Sequence, residues 1–279
     1  MTNPIDEELA WRLICAVNPG VRRTTLANSP GVWLEVDGSG EWTASARCSA
    51  SVRDFFDIYL PLKVRGVLVI GQLGQSLDGR IATESGLSHF VTGPEDIDRL
   101  HRVRAIVDAV LVGAGTVDAD DPELTVRRVD GENPVRVVLD PSGRLESNRR
   151  IFNDGRAHTI VIHHDESVGS EQMGEAEILR VPGTSPHKID LEVLLEKLSF
   201  RGLRRILVEG GGLTVSHFLQ AGLLDRLHVT VAPLLIGSGR PSLTLDPVPT
   251  LEEVPRYPCR QFCLGKDVLF DFELQSKLE

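Results

Sequence analysis

The fold of this chain is indicated first by two short apolar runs, each followed directly by glycine. Residues 67–70 (VLVI) precede Gly71, and residues 108–112 (DAVLV) precede Gly113. Buried parallel strands have continuous apolar sequences, and ligands bind where loops leave the carboxyl ends of such strands. The pattern therefore predicts that each strand ends at its glycine and that the two following loops form the walls of one cleft.

Beyond residue 63, strand-like and helix-like segments alternate along the chain. We predict strands at residues 135–139, 159–162, 206–208, 227–231 and 268–272, and helices near residues 96–106, 190–198 and 214–221. Such alternation is typical of an α/β domain in which helices cover the faces of a sheet.

The first 63 residues have a different pattern and are predicted to form a small N-terminal α/β appendage, with the main domain over residues 64–279. A helix over residues 7–17 has one apolar face, formed by Leu9, Leu13, Ile14 and Val17. Residues 32–36 and 55–60 are predicted to be strands, and Pro61 is expected to mark the entry to the main domain.

Composition excludes several classes of protein. The formal charge of -10 over 279 residues argues against nucleic-acid binding, which depends on clustered Lys and Arg. No apolar run approaches the length of a membrane span, and the first residues lack the basic start of a secretion signal, so a cytoplasmic protein without membrane contact is expected. Four scattered cysteines are expected to be reduced thiols: Cys15, Cys48, Cys259 and Cys263.

A third glycine-rich turn follows a predicted strand at residues 205–208. Glu209 ends that strand, and three glycines precede a predicted helix that begins near Leu213. Free backbone N–H groups and the positive end of the helix then face one point, which suits a pyrophosphate. The glycines alone support equally well a tight turn that binds no ligand.

Several motifs, in this order, closely resemble the pyrimidine reductase family of riboflavin biosynthesis, the reductase half of the bifunctional riboflavin deaminase/reductase. They are SLDGRIATESG, SHFVTG, a helix carrying LHRVR, DAVLVGAGTVDADDPELTVR, VRVVLD, and RRILVEGGGLTVSHFLQAGLLDRLHVTVAPLLIGSGRP. The resemblance runs from about residue 67 to near the C terminus and implies a dihydrofolate-reductase-like fold, with a mixed, mostly parallel sheet and helices on both faces.

The same resemblance implies an activity. We expect NADPH-dependent reduction of 2,5-diamino-6-ribosylamino-4(3H)-pyrimidinone 5′-phosphate, or its deaminated form, to the ribitylamino product. A small phosphorylated substrate and a homodimer are the expected partners.

Matching motif positions one by one implies the site residues. Cofactor contacts fall on Gly74, Phe90, Thr116, Asp120, Gly211, Gly212, Leu213, Thr214, Val215, Ser216 and His217. Substrate contacts fall on Ser88, Arg104, Leu124, Arg127 and Glu209. A guanidinium group matches phosphate oxygens and stays charged, which favours the two arginines as a phosphate clamp.

Glu209 is the candidate catalytic residue, expected to polarise the reacting sugar. Each of these side chains also has a simpler explanation. An isolated arginine is usually a solvated surface residue, Asp120 with the following Asp-Pro is typical of a turn, and Glu209 fits a carboxylate near a helix N-terminus.

Two departures from the family pattern leave the substrate open. Gln72 stands where many members carry a lysine that approaches the substrate, and Phe90 stands where tryptophan is frequent. A reductase of a different pterin- or pyrimidine-like substrate is one alternative. A regulatory protein that binds NADPH without turnover is another.

No metal is expected. The fragments His164-Asp165-Glu166 and Pro258-Cys259 resemble parts of a zinc-deaminase signature, but Cys263 is one residue too far from Cys259 and the fragments lie in separate segments. We therefore predict no deaminase activity. His89 and His101 are interpreted as surface or loop residues.

Overall fold

In a computed structural model, the structure describes residues 4–29, 31–88, 91–167, 172–185 and 188–275. The chain divides into two compact units, Met1–Leu68 and Val69–Glu279.

The N-terminal unit contains two helices and a small antiparallel sheet of three strands in the order β1-β2-β3. Its elements are α1 (Glu7–Ala16), β1 (Arg23–Thr25), β2 (Trp33–Val36), β3 (Trp42–Ala44) and α2 (Ala50–Lys63). The predicted helix and the strand near residue 32 are thus confirmed.

The strand predicted at residues 55–60 is wrong, because these residues belong to α2. Ser49 caps that helix by accepting the N–H of Val52 at 3.2 Å, and Pro61 lies inside its last turn. Phe55 and Tyr59 are four residues apart and both lie against Trp11 of α1. This four-residue spacing is helical, and the apolar composition of the segment hid it.

The second unit is built on a nine-stranded sheet with a separate two-stranded ribbon. Its elements are β4 (Leu68–Ser76), β5 (Arg80–Thr83), α3 (Pro94–Ile106), β6 (Ala109–Gly113), α4 (Ala114–Asp120), β7 (Val135–Leu139), β8 (Thr159–His164), β9 (Glu177–Val181), α5 (Leu191–Phe200), β10 (Arg205–Glu209), α6 (Gly212–Gln220), β11 (Arg226–Ala232), β12 (Gly239–Pro241), β13 (Cys259–Leu264) and β14 (Asp267–Glu273), with short 3₁₀ turns at Arg150–Phe152 and Leu251–Glu253.

The order of the large sheet is β13-β14-β11-β4-β10-β6-β7-β8-β9. Strands from β6 to β9 pair in parallel, β10 is parallel to β6, and β11 is parallel to β4. At one end of the sheet, β14 pairs antiparallel to β11 and β13 pairs antiparallel to β14. Every strand and helix predicted after residue 63 is present.

Helices cover both faces of this sheet. On one face, a Cβ at Gly71 of β4 would lie 3.2 Å from a methyl of Val215 in α6. On the other face, Gln72 bonds to Arg99 of α3. Successive strand residues point to opposite faces, so α6 and α3 lie on opposite sides. The predicted fold class, a mixed and mostly parallel sheet with helices on both faces, is confirmed.

The prediction that β4 ends at Gly71 is wrong, since the strand continues to Ser76. Glycine is required there by packing: a Cβ at Gly71 would lie 2.8 Å from Leu224, and one at Gly74 would lie 2.8 Å from Thr92. These glycines make room for neighbouring side chains inside the domain and are not loop residues. No helix among the described residues is long and apolar enough to cross a membrane.

Candidate functional site

Two glycine turns meet at the carboxyl ends of β6 and β10, which are neighbours because the two strands pair in parallel. The hydroxyl of Thr214 lies so close to both turns that a Cβ at Gly113 would be 2.5 Å from it. The N–H of Gly211 donates to the hydroxyl of Thr116 at 2.9 Å. The two turns therefore form one continuous backbone surface at this edge of the sheet.

The N-terminus of α6 provides hydrogen-bond donors at this surface. Gly211 precedes the helix, and no side chain caps the helix. The N–H of Thr214 bonds to the carbonyl of Gly211, whereas no described bond engages the N–H groups of Gly212 and Leu213. Unpaired donors at a helix N-terminus favour an anionic group such as a pyrophosphate.

The first turn of α6 divides into outward and inward positions. Leu213 is 64% exposed and His217 is also exposed, so both side chains are accessible from solvent. Val215 lies in the core, and the buried hydroxyl of Ser216 donates to the carbonyl of Gly212 and accepts the N–H of Thr244. At Val215 and Ser216, then, the side chains serve packing and capping within the domain.

Neighbouring glycines also differ in their surroundings. A Cβ at Gly212 would lie 2.1 Å from the carbonyl oxygen of Ser242, so this glycine is needed for packing against backbone. A Cβ at Gly211 would meet only the hydroxyl of Thr116, at 3.5 Å. Gly211 therefore has open space in front of it.

Three further residues are predicted to contact the cofactor: Asp120, Gly74 and Phe90. Asp120 is exposed at the end of α4 and accepts a long hydrogen bond, 3.5 Å, from the hydroxyl of Ser88, a predicted substrate contact. Gly74 lies on β4, close to Thr92. Phe90 lies outside the described residues.

Glu209 is held by Arg104 in a two-pronged ion pair at the end of β10. Nε of Arg104 donates to Oε1 of Glu209 at 2.8 Å, and Nη2 donates to Oε2. The side chain of Glu209 is only 13% exposed and that of Arg104 only 8%, so the pair is largely desolvated. A fork of this kind fixes the plane of the carboxylate. The contacts of Arg104 thus indicate that it orients Glu209.

The backbone of Thr125 connects this ion pair to Arg127. Arg104 donates to the carbonyl of Thr125 at 3.1 Å, and Arg127 donates to the hydroxyl of the same residue at 3.1 Å. The side chain of Arg127 is 46% exposed, so its guanidinium is accessible to a ligand. Partial burial lowers the pKa of Arg127, an effect opposed by Glu123 and reinforced by Arg104.

Leu124, a predicted substrate contact, is buried and has a backbone φ of 53°. Asp121 has a φ of 39°, and these two are the only non-glycine residues with positive φ in the described part of the chain. Such conformations are costly for residues with a Cβ and concentrate at functional sites. The backbone between residues 121 and 127 is thus strained at two positions, Asp121 and Leu124.

His101 is not a surface or loop residue, contrary to our prediction. It lies on α3, is 2% exposed, and its Nδ1 accepts the backbone N–H of Arg127 at 3.1 Å. Burial, with the nearby charges of Arg104 and Arg127, lowers its pKa to about 4. His101 lies three residues before Arg104, which is a same-face spacing that helical periodicity could have revealed.

Gln72, which stands where many family members carry a lysine, lies in the interior of the domain. It is 5% exposed, and its carbonyl oxygen accepts a hydrogen bond from Arg99 at 2.6 Å. Arg99 also contacts Asp96 and His228, all in the interior. Residue 72 therefore lies beside the positive charge of Arg99, which belongs to α3.

The SLDGR turn supports the edge of the site. Both oxygens of Asp78 accept backbone N–H groups, from Ile236 at 3.1 Å and Gly237 at 2.7 Å. The hydroxyl of Ser76 also donates to Asp78, and these bonds lower the pKa of Asp78 to about 2. This motif therefore anchors the loop after β11 to the end of β4.

The zinc-like fragments are far apart in the sheet. His164 ends β8, whereas Cys259 begins β13, and six strands lie between these two strands. Within the described ranges, no three His, Cys, Asp or Glu side chains are grouped so that they could hold a metal ion.

The fold and this edge together define a mixed α/β domain of the type that binds ligands where parallel strands end. Residues 67–261 match the RibD C-terminal domain family, and the chain belongs to that family.

Named relatives are consistent with this membership. A 2,5-diamino-6-ribosylamino-4(3H)-pyrimidinone 5′-phosphate reductase from Methanothermobacter thermautotrophicus is 39% identical over 219 residues, covering 75% of this chain and 98% of that protein. The riboflavin biosynthesis protein RibD of Escherichia coli is 33% identical over 212 residues, 71% of this chain and 57% of that protein. The chain thus spans little more than half of that RibD.

Among solved structures, a Thermotoga maritima diaminohydroxyphosphoribosylaminopyrimidine deaminase/5-amino-6-(5-phosphoribosylamino)uracil reductase superposes with a TM-score of 0.63 at 28% identity. The match covers 82% of this chain and 64% of that chain.

Proposed function

We propose that this protein is a reductase that uses NADPH to reduce 2,5-diamino-6-ribosylamino-4(3H)-pyrimidinone 5′-phosphate, or its deaminated form, to the ribitylamino product. The similarity that extends over nearly all of the archaeal reductase supports the substrate. One structural observation carries the proposal. A buried carboxylate at the glycine edge, Glu209, is linked through Arg104 and Thr125 to a half-exposed guanidinium, Arg127.

NADPH fits the glycine edge by the chemistry of its donors. Backbone N–H groups at the start of α6 and the open face of Gly211 suit a pyrophosphate. The nicotinamide, when bound, supplies the hydride. Leu213, Thr214 and His217 are the proposed side-chain contacts from α6, with Thr116 and Asp120 from α4.

The protein's own groups orient the substrate. Arg127 pairs with the 5′-phosphate, and Glu209 lies where the ribose meets the glycine edge. A carboxylate fixed by the Arg104 fork accepts a hydrogen bond from a sugar hydroxyl in one orientation only, which holds C1 of the ribose towards the cofactor. Hydride transfer to C1 breaks the bond to the ring oxygen, which then takes up a proton and leaves the open ribityl chain.

A turnover assay tests this proposal. Purified protein with the pyrimidine phosphate and NADPH is expected to oxidise NADPH and form the ribitylamino product in equal amounts. Glu209→Gln removes the charge but keeps the shape, and it should lower kcat while leaving NADPH affinity unchanged. Absence of product with wild-type protein that binds NADPH would favour a regulatory protein instead.

We also propose a cytoplasmic homodimer. Five exposed large apolar side chains lie in one stretch after β11: Leu235, Leu245, Val248, Leu251 and Val254. Exposed apolar side chains of this kind are candidates for a contact surface between two subunits. Light scattering on Leu251→Ser, the variant of the most exposed of the five, should show a weakened dimer.

A further inference from the structure

Glu123 is surrounded by three arginines. Its carboxylate lies 2.6 Å from Arg156, 3.3 Å from Arg150 and 3.2 Å from Arg127. The Glu123 side chain is 18% exposed, whereas the three arginine side chains are each about half exposed, at 53%, 48% and 46% respectively. The three arginine side chains are therefore accessible to solvent around one largely buried carboxylate.

The charges in this cluster do not balance. Three guanidinium groups contact Glu123, and Arg150 also lies 4.0 Å from the carboxylate of Asp121, so the cluster has an excess of one positive charge in a chain whose formal charge is -10. Like charges held together are unfavourable unless an anion is nearby. A phosphate monoester carries a charge of about -1.5 to -2 near neutral pH and would more than neutralise this excess.

Further hydrogen bonds and an ion pair hold the backbone around Glu123. The buried Arg136 donates to the carbonyl of Glu123 at 3.3 Å and forms a two-pronged pair with Asp154. Arg150 donates to the carbonyl of Asp121 at 2.6 Å, and Thr125 accepts from Arg127. Both strained residues, Asp121 and Leu124, lie in this segment. Conformational cost at residues flanking Glu123 is consistent with selection for a binding geometry.

We propose that Arg150 and Arg156 complete, with Arg127, a three-sided clamp for a phosphate monoester, and that Glu123 competes with the phosphate at its centre. The proposal rests on the function proposed above, because Arg127 is there the residue that pairs with the substrate 5′-phosphate. It adds two specificity-determining residues from the 3₁₀ turn at Arg150–Phe152 and the loop after it.

The competing carboxylate gives the site its selectivity. A neutral sugar that displaces Glu123 loses the attraction between this carboxylate and the guanidinium groups and gains none in return. A phosphate dianion replaces the single negative charge of Glu123 with two, so its binding is favoured. Phosphorylated and unphosphorylated forms of the same sugar should therefore differ in affinity far more than their other contacts require.

The test measures binding of ribose 5-phosphate and of ribose by calorimetry. Arg150→Gln and Arg156→Gln should each weaken ribose 5-phosphate binding by about three- to tenfold, the range expected for losing one half-exposed charged contact. Glu123→Gln should strengthen it by about threefold, since a competing charge is removed. Ribose binding should not change in any variant.

Arg128→Gln is the matched control, because Arg128 is adjacent in sequence to Arg127, carries the same charge, and pairs with Asp98 instead of Glu123. It should leave ribose 5-phosphate affinity within error. Equal weakening in Arg128→Gln and Arg150→Gln would show a general charge effect and overturn the clamp, as would unchanged affinity in both Arg150→Gln and Arg156→Gln. Melting temperatures of all variants exclude unfolding.

These results separate the clamp from the proposed reaction. If wild-type protein reduces no pyrimidine substrate but Arg150→Gln still weakens ribose 5-phosphate binding, the clamp stands and the reaction fails. If turnover is normal and KM for the pyrimidine phosphate is the same in wild type, Arg150→Gln and Arg156→Gln, the reaction stands and the clamp fails.

Discussion

The glycine edge and the arginine side of the candidate site use opposite physical means. At the glycine edge, recognition depends on backbone brought close together, with Thr214 covering Gly113 and Gly210. On the arginine side, recognition depends on long charged side chains whose positions are set by other side chains, such as Glu209 on Arg104. Ligand binding at the glycine edge should therefore be sensitive to added side-chain volume and insensitive to pH. Ligand binding on the arginine side should be sensitive to pH and insensitive to added volume.

The largest expected effect is at the glycine edge. Gly211→Val should abolish NADPH binding, because the added methyl groups occupy the open space before the helix N-terminus. Folding should be preserved, since a Cβ there meets only Thr116 at 3.5 Å and the backbone, with φ of -54° and ψ of 154°, suits any residue. Calorimetry with NADPH measures the affinity.

Its neighbour provides the contrast. Gly212→Ala places a Cβ 2.1 Å from the carbonyl oxygen of Ser242, so it should destabilise the fold and lower the melting temperature, and not merely weaken NADPH binding. Unchanged NADPH affinity in folded Gly211→Val would mean that the cofactor does not bind across this turn.

The next effect concerns Gln72, whose amide oxygen faces the buried guanidinium of Arg99. Gln72→Lys places a second cation beside Arg99 and should destabilise the fold by about 3 kcal/mol, the lower end for an uncompensated buried charge. Gln72→Glu is the matched variant with the opposite sign, and it should be tolerated much better. Urea denaturation compares the two. A stable Gln72→Lys protein with improved turnover would instead indicate a lysine position facing the sugar.

Arg127→Ala should have the next largest effect and should act on substrate alone. Because the Arg127 side chain is 46% exposed, loss of its charged contact should raise KM for the pyrimidine phosphate by about three- to tenfold. NADPH affinity should stay constant, because Arg127 lies apart from the glycine edge. A parallel loss of NADPH binding would show that the two regions are not independent.

The smallest expected effect is the pH dependence conferred by His101. Its pKa is lowered to about 4 by burial and by Arg104, Arg127 and Arg128, with Asp98 opposing. The unfolded chain binds this proton near pH 6.5, so the stability contribution of neutral His101 is present above that pH and is lost as pH falls through about 4. Protonation also removes the acceptor for the N–H of Arg127.

Ribose 5-phosphate affinity should therefore fall over this acid range, whereas NADPH affinity should not. The phosphate itself titrates near pH 6, so the comparison is made with His101→Gln, which cannot titrate. An identical pH profile of ribose 5-phosphate affinity in wild type and His101→Gln would show that His101 does not cause the pH dependence.

The two regions also differ in how far sequence alone predicts them. Strands such as β7 and the turn at Glu209 follow from local pattern, because apolar runs and glycine spacing express backbone requirements directly. The contacts of Arg104, His101 and Gln72 do not follow, because each partner lies far away in sequence: Glu209 is 105 residues from Arg104. The prediction that β4 ends at Gly71 is wrong for the same reason, since the packing partner of Gly71, Leu224, is even more remote in sequence.

The link through Thr125 has a further consequence. Thr125 accepts a hydrogen bond from Arg104 with its carbonyl and one from Arg127 with its hydroxyl, so a single residue sets the distance between the Glu209 carboxylate and the nearest guanidinium of the proposed phosphate site. In the proposed site, Thr125 therefore selects sugars by the distance between their reacting end and their phosphate. A pentose 5-phosphate that reaches both ends is accepted, whereas tetrose and hexose phosphates, with the same groups at another spacing, satisfy only one end at a time and should be poor ligands.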